Sequence, residues 1–388
     1  MTDKAKSTAR ARTPKGEPFD FWPDRSPAVI SKNNFKYKSL SNWAFNISVG
    51  CSHACRFCYV PSASTRKQGP KLINFGVTDP DEQWGKYSLL RRWNEKKFVA
   101  SLNRAENTPI QELKPDGNRA VMFCSTTDPY QVFKASTTEK TTLLNKSAES
   151  LVRKALETIR DHSTLNVRIL TRSPLARKHF DMFKTFGDRL VFGMSLPTLN
   201  DKLSRIYEPH APGPAARLKT LQEAKAAGLH VFVAVAPTYP ECNEADLRET
   251  LTAIKELDPI TIFHEPINIR AENVARIEHH ARELGVNINT DVFKTRGAWR
   301  RYSLEALQLM QRVATELGLV DHLHLWPDKQ LGSKTQFLAL RKALRANNDL
   351  TRFQRKLAKA EDERFYNEKY KPWIEGWWSR ISEWPGKK

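Results

Sequence analysis

Three cysteines fall within the short stretch "CSHACRFC": Cys51, Cys55 and Cys58, with His53 among them. Thiolates are soft ligands, and this spacing admits three kinds of chemistry. Together with His53 the thiols are in principle enough for a tetrahedral zinc ion. Structural zinc sites commonly split their ligands into two separated pairs, and no second pair follows in this chain. A disulfide would leave one thiol of the three over, and the two remaining cysteines, Cys124 and Cys242, stand alone. Three thiolates on one loop can also hold three irons of a 4Fe–4S cubane, which normally takes four cysteines, and one iron is then left open.

The elements that must position this loop alternate short β-branched runs with amphipathic helical stretches. Strands are expected at 43–50 ("WAFNISVG"), 119–124 ("RAVMFC"), 166–173, 189–197, 229–237 and 260–266. Helices follow most of them: "TEKTTLLNKSAESLVRKALETIRDH", "PLARKHFDMFKTFG", "PAARLKTLQEAKAAG" closed by Gly228, "EADLRETLTAIKEL" and "AENVARIEHHARELG". Near-continuous apolar strands such as "HVFVAVA" imply burial on both faces of a parallel α/β sheet. Six strand–helix units over 43–285 suit an open doubly wound sheet or an incomplete barrel. Either design gathers chemistry at the carboxyl ends of strands. The polar residues sit there: the cysteines after the first strand, Thr126–Asp128 after the second, Arg172 after the third, Ser195 at the fourth, Pro237 after the fifth, and His264–Glu265 at the sixth. One composite site is expected.

Residues 66–118 interrupt the alternation, with a turn-rich part and a helix expected from about Leu89 to Arg104. Residues 1–18 read as a disordered basic tail and 19–285 as the main domain. Residues 286–388 read as an α-rich extension containing "SLEALQLMQRVATELG", a short strand at "HLHLWPD", a basic helical stretch over 333–370, and Trp373, Trp377, Trp378 and Trp384 near the end.

Composition narrows the class. Hydrophobic residues at 40% fit a globular protein, and no apolar run nears the length that spans a bilayer. The N-terminal stretch has no apolar signal core, so the expected place is the cytoplasm and no membrane partner is expected. Sixty-three Lys and Arg against forty-three Asp and Glu give a net charge of +20, which would attract nucleic acid or another polyanion. Nothing in the sequence bears on oligomeric state.

Cys51-x3-Cys55-x2-Cys58 followed by Tyr59 resembles the signature of radical S-adenosylmethionine (radical SAM) enzymes. "CSTTDPYQ", "LTRSP", "FGMSLPTLNDKLSRIYEPHAPGPAARLKTLQEAKAAG" and "VFVAVAP" resemble segments of the subgroup around spore photoproduct lyase, over roughly residues 19–265. The resemblance implies a partial (β/α)6 TIM-type barrel, here with an α-helical C-terminal extension. It also implies a 4Fe–4S cluster on Cys51, Cys55 and Cys58, whose open iron binds S-adenosylmethionine. One electron, from a donor such as flavodoxin or ferredoxin, would then release a 5′-deoxyadenosyl radical that takes hydrogen from substrate. By the same resemblance Tyr59 lies near the adenine and Ala236 offers it backbone contacts. Thr127 and Asp128 meet the methionine amino end, Arg172 its carboxylate, and Ser195 the ribose. Glu208 recurs in the family pattern, with helix capping as its alternative. His53 occupies a slot that varies in the family. Cys124 stands close to the cysteine that returns hydrogen to the product in spore photoproduct lyase, against plain burial as a small apolar residue. DNA photolesion repair-like chemistry is the expected function, with a peptide or small-metabolite substrate, or a zinc-stabilised nucleic-acid binder, as rivals. The 66–118 insertion and the unmatched C-terminal third separate this chain from spore photoproduct lyase itself.

Overall fold

The structure, a computed structural model, describes residues 16–33, 40–113, 117–328, 330–335, 337–338, 342 and 352–379. The expected N-terminal tail up to residue 15, much of the expected basic helix between 336 and 351, and Trp384 lie outside the described residues.

Six expected parallel strands form, and the sheet continues beyond them. β3 (Trp43–Phe45), β6 (Ala120–Phe123), β7 (Asn166–Thr171), β8 (Leu190–Ser195), β9 (Val231–Thr238) and β10 (Thr261–Pro266) pair in that order, all parallel. At one edge β11 (Leu323–Leu325) adds a further parallel strand beside β10, and at the other β2 (Ile30–Lys32) pairs antiparallel with β3. The main sheet therefore has eight strands among the described residues, with β2 and β11 as its edges. It is the sheet of a partial barrel, wrapped by helices.

Both faces of the strands are buried, as their apolar runs required. Val121 and Phe123 of β6 face the layer of helices, where they join Phe98, Leu151, Val152 and Ile159. Met122 faces the other way, into a smaller inner cluster with Val191, Phe232, Phe263 and Trp326. Gly193 is required there, because a Cβ at that position would lie 2.4 Å from the ring of Phe232 on the neighbouring strand. Side chains cap several of the helices at their N-termini: Thr137 for Thr138–His162, Asn200 for Asp201–Tyr207, Asn243 for Glu244–Lys255 and Thr295 for Arg296–Glu316.

Three local expectations change. "WAFNISVG" is two strands, because the chain bends at Asn46 and β4 (Ser48–Gly50) leaves the main sheet. β4 pairs antiparallel with β5 (Ser88–Leu90), which also pairs with β1 (Phe19–Phe21), giving a separate three-stranded sheet. Leu89 is therefore a strand residue, and the helix expected from there starts later, at Glu95–Glu106, where the Asn94 side chain accepts from the Lys97 amide. "PLARKHFDMFKTFG" forms a 3-10 turn at Pro174–His179 and a short helix at Phe180–Lys184.

Candidate active site

β4 delivers the chain to Cys51, and several elements hold the loop that follows. From the turn after β6, Thr127 Oγ1 donates to the Gly50 carbonyl at 2.7 Å. Gln131 bridges the same turn to the loop: its Nε2 donates to Ser48 Oγ at 2.9 Å and its Oε1 accepts from the Ser52 amide at 2.8 Å. Asn46 anchors that turn, with Oδ1 accepting from the amide and hydroxyl of Thr126 at 3.0 Å each. From the helix Asn273–Leu284, Asn273 Nδ2 donates to the Phe57 carbonyl at 3.1 Å, and Arg276 bonds the Cys58 carbonyl while pairing with Asp81.

The insertion supplies the remaining wall. Tyr87, Trp84, Leu72 and Val77 pack with Trp22, Val49 and Cys51 in a cluster of their own, against which Cys58 and Tyr59 lie. Gly85 has φ +91°, and a Cβ there would stand 2.3 Å from the Cβ of Ala54, inside the loop. Gly50 has φ +93°, and a Cβ there would meet Tyr87 at 2.6 Å. Only glycine permits both the conformation and the approach.

Behind the loop, the ends of β6, β7 and β8 carry a buried polar network. Asp128 is locked by three donors: Thr171 Oγ1 at 2.7 Å and the Tyr130 amide at 2.8 Å to Oδ1, and the Arg172 amide at 2.8 Å to Oδ2. His53 Nδ1 stands 3.5 Å from the same Oδ2. Burial lowers the His53 pKa against the pull of Asp128, which keeps the imidazole neutral. Arg172 Nε donates to Glu208 Oε1 at 2.6 Å, and Arg217 Nη2 lies 2.5 Å from Glu208 Oε2. Arg217 also donates to the carbonyls of Pro212 (2.7 Å) and Ser195 (3.1 Å). Glu208 and Arg217 are fully buried. Burial alone would raise the Glu208 pKa, but the two guanidiniums outweigh it and hold the carboxyl below its ordinary value. Of the two cations on Glu208, Arg217 is fully buried and Arg172 keeps 18% of its side chain exposed. Arg172 also lies over the Phe57 ring, 5.7 Å from its centroid. Tyr239, stacked on Tyr207 at 4.1 Å, keeps its buried hydroxyl without a hydrogen-bond partner among the described residues.

The three thiols feel this setting and one another. Burial raises all three, Cys51 well above its ordinary value, Cys55 to about 12, and Cys58 upward as well. Asp128 adds to the rise at Cys51, while Arg172 opposes it at Cys55. Protein alone therefore keeps these groups as neutral thiols, and bound iron is the kind of cation that would make them thiolates. Among the described residues no three His, Cys, Asp or Glu side chains converge as ligands of one ion, which a zinc site demands. A cubane asks for something else, one thiolate on each of three irons, and three neighbouring cysteines on a single loop fit that demand.

The other expected residues fall in varied places. Ser195 ends β8 and is buried, with its carbonyl held by Arg217. Ala236 lies half-buried near the end of β9. Tyr59 is half-buried beside Cys58. His264 Nε2 is 3.1 Å from Thr238 Oγ1, and Glu265 accepts from Asn268 at 3.0 Å. Cys124 has φ +65° and packs in the apolar layer between sheet and helices. Glu208 does not cap the helix Pro214–Ala226, whose start has no side-chain cap; it forms the ion pairs instead. Gln131, Arg217, Tyr239, Gly85 and Arg276 were not singled out from sequence. Arg217 lies in "EPHAPGPAARL" nine positions after Glu208, and a search for a buried partner of that glutamate would have found it.

The radical SAM superfamily model matches residues 45–254. The protein ORF301 of Acidianus two-tailed virus is 34% identical over 265 residues, covering 65% of this chain and 78% of that protein. The protein MJ0683 of Methanocaldococcus jannaschii is 22% identical over 274 residues, covering 70% and 87%. Among solved structures, spore photoproduct lyase complexed with dinucleoside spore photoproduct is similar in fold, with TM-score 0.54 at 14% identity over 78% of this chain and 80% of that one. A variant of that enzyme with bound S-adenosylmethionine gives TM-score 0.52 at 16% identity, over 76% and 80%. The family match spans more than half of the chain and covers the cysteine loop and the network behind it. The chain belongs to the radical SAM superfamily, and is an enzyme of the 4Fe–4S cluster and S-adenosylmethionine built on a fold like that of spore photoproduct lyase.

Proposed function

We propose that Cys51, Cys55 and Cys58 hold the cluster, and that the residues around them seat S-adenosylmethionine for hydrogen abstraction from a nucleic acid. The observation that carries this reading is the juxtaposition of two buried thiols, Cys51 and Cys55, and the half-buried Cys58 with the Arg172–Glu208–Arg217 chain at the carboxyl ends of the strands. When bound, cluster and S-adenosylmethionine supply a 5′-deoxyadenosyl radical; the protein supplies orientation and exclusion of water. Arg172 offers its remaining N–H groups to the methionine carboxylate, and Glu208 and Arg217 keep it from swinging away. Asp128, already saturated by three donors, sets the turn that presents Thr127 toward the amino end. Ser195, Tyr59 and the Ala236 backbone surround the nucleoside.

Charge supports the nucleic-acid substrate: +20 in all, in a fold shared with an enzyme whose structure contains a dinucleoside lesion. Reconstituted without oxygen and reduced, the protein should bind one cluster and release 5′-deoxyadenosine and methionine. Cys51→Ala, Cys55→Ala and Cys58→Ala should each abolish both properties, and His53→Ala should keep the cluster. Full cluster content in any of the three cysteine variants would sink the ligand assignment. Binding to single- or double-stranded DNA or RNA should weaken with salt, with a log–log slope of roughly −0.7 to −0.9 per phosphate contact. Undetectable or salt-insensitive binding by the cluster-loaded protein would move the substrate to a peptide or small metabolite.

A further inference from the structure

We propose that a groove between residues 25–29 and the helix Glu95–Glu106 of the insertion grips the phosphate backbone of a nucleic acid. The proposal rests on the nucleic-acid reading of the substrate and is independent of the chemistry at the cysteine loop. The groove has a volume of about 650 Å³. Arg25, Arg91, Lys97 and Arg104 line it together with Ser26 and Ala100, and no carboxylate does so among the described residues.

Charges of opposite sign are separated around this groove. Lys97, Ala100 and Arg104 recur at helical spacing and fall within about 60° of arc on one face of the helix. Glu95 and Glu106, its two acidic residues, fall on the opposite side, and Glu106 is paired with Arg119 at 3.2 Å. Asp24, next to Arg25 in sequence, is taken by Arg92 at 2.9 Å. None of the four lining cations makes an ion pair among the described residues. Arg25, Lys97 and Arg104 are exposed, and Arg91 is half-buried. Burial lowers the Arg91 pKa with no carboxylate to offset it, so an anion in the groove would supply the missing counter-charge.

Hydrogen bonds fix the walls before any ligand arrives. Arg91 Nη1 donates to the Ser26 carbonyl at 3.0 Å, the Ala28 amide to the Arg92 carbonyl at 3.1 Å, and the Ile30 amide to Ser101 Oγ at 3.0 Å. Little ordering then remains to oppose binding. Lys97 and Arg104 stand about 10 Å apart along the helix axis, roughly the rise of three phosphates on one strand of a duplex. A single phosphate cannot span that distance, whereas a phosphodiester chain can, and its unbroken negative charge matches a face without carboxylates. The groove also lies near the cysteine loop. The Arg91 amide donates to the Ile47 carbonyl at 2.7 Å, and the chain from Ile47 to Cys51 reaches at most about 14 Å. A strand lying in the groove is therefore within a few nucleotides of the loop.

The test follows the anisotropy of fluorescein-labelled duplex DNA, single-stranded DNA and RNA over a salt series. It compares the cluster-loaded chain with a groove variant carrying Arg25→Ala, Lys97→Ala and Arg104→Ala together. A control variant carries Lys154→Ala, Lys219→Ala and Lys255→Ala, which removes the same charge from exposed positions on three other helices. The groove variant should bind at least about tenfold more weakly at low salt, with a log–log salt slope shallower by about 2–3 units. The control should stay near wild type, and both variants should keep the wild-type unfolding temperature and dithionite-driven S-adenosylmethionine cleavage. Equal losses in the two variants would overturn the proposal, because net charge alone would then account for them. A wild-type slope in the groove variant would overturn it as well. Displacement by inorganic phosphate as strongly as by unlabelled DNA would give the groove to a small anion, and displacement by poly-glutamate as strongly would give it to an acidic protein; either would overturn the proposal. A wild-type chain that binds none of the three probes would overturn it together with the nucleic-acid reading. A wild-type chain that binds but never cleaves S-adenosylmethionine would strike the radical reading alone, and the slopes would still decide the groove.

Discussion

Glu208 has no access to water, so its charge depends on Arg172 and Arg217. Removing one partner from a buried ion pair typically costs about 3–5 kcal/mol, because the others are left uncompensated. Glu208→Gln is therefore expected to lower the unfolding temperature and to weaken S-adenosylmethionine binding, as Arg172 loses its tether. The carboxyl has a folded pKa below its unfolded value, so its stabilisation is full above the ordinary glutamate range and fades as pH falls through the lowered value. The gap between wild type and Glu208→Gln should be widest near neutrality and close in acid, below about pH 4. A gap that stays constant to acid pH would contradict an ionised Glu208. Cys124 belongs to a different environment, an apolar layer in which burial raises its pKa. Cys124→Ala should cost about 1 kcal/mol of stability and leave S-adenosylmethionine cleavage near the wild-type rate. Trapped or altered product from this variant would show instead that the thiol reaches substrate.

The three-stranded sheet of β1, β5 and β4 explains what the insertion contributes. It closes over the cysteine loop and fixes its path through two glycines at positive φ. Gly85→Ala is expected to add strain of about 1–3 kcal/mol, and more from the collision with Ala54, and so to lower iron and sulfide per chain after reconstitution. Gly228→Ala is the control: φ is +82°, but nothing lies within 4 Å of the added Cβ. It should cost only about 1–2 kcal/mol and leave cluster loading unchanged. Equal loading in both variants would remove the bracing role. This role was not legible in residues 66–118, whose turns carry no period. β5 is three residues long, and it is a strand because β4 and β1 lie on either side of it. The same pairing divides "WAFNISVG", which carries the β-branched and aromatic composition of a single strand.

At the scale of the molecule, the C-terminal third is part of the core. β11 extends the main sheet, and Phe337, Tyr366, Tyr370 and Ile374 join the same buried cluster as the strands. Trp373 Nε1 donates to Gln311 Oε1 on the helix Arg296–Glu316 at 2.8 Å. Deleting residues 333–388 should therefore destabilise the barrel itself and cannot serve as a clean test of nucleic-acid binding. Tyr370→Ala alone should cost about 3–5 kcal/mol in chemical denaturation, and a wild-type midpoint would show that this segment packs independently. What the sequence determined by itself were the features written in local order. The cysteine spacing, the alternation of buried strands with capped helices, and the collection of polar residues at strand ends all depend on neighbours within a few positions. Tertiary structure alone decided which residues complete the site. Asp128 meets His53, Glu208 meets Arg172 and Arg217, and Gly85 meets Ala54 across separations that no local period records. Burial then gives those meetings their force, because an ion pair or a glycine matters most where water cannot relieve it.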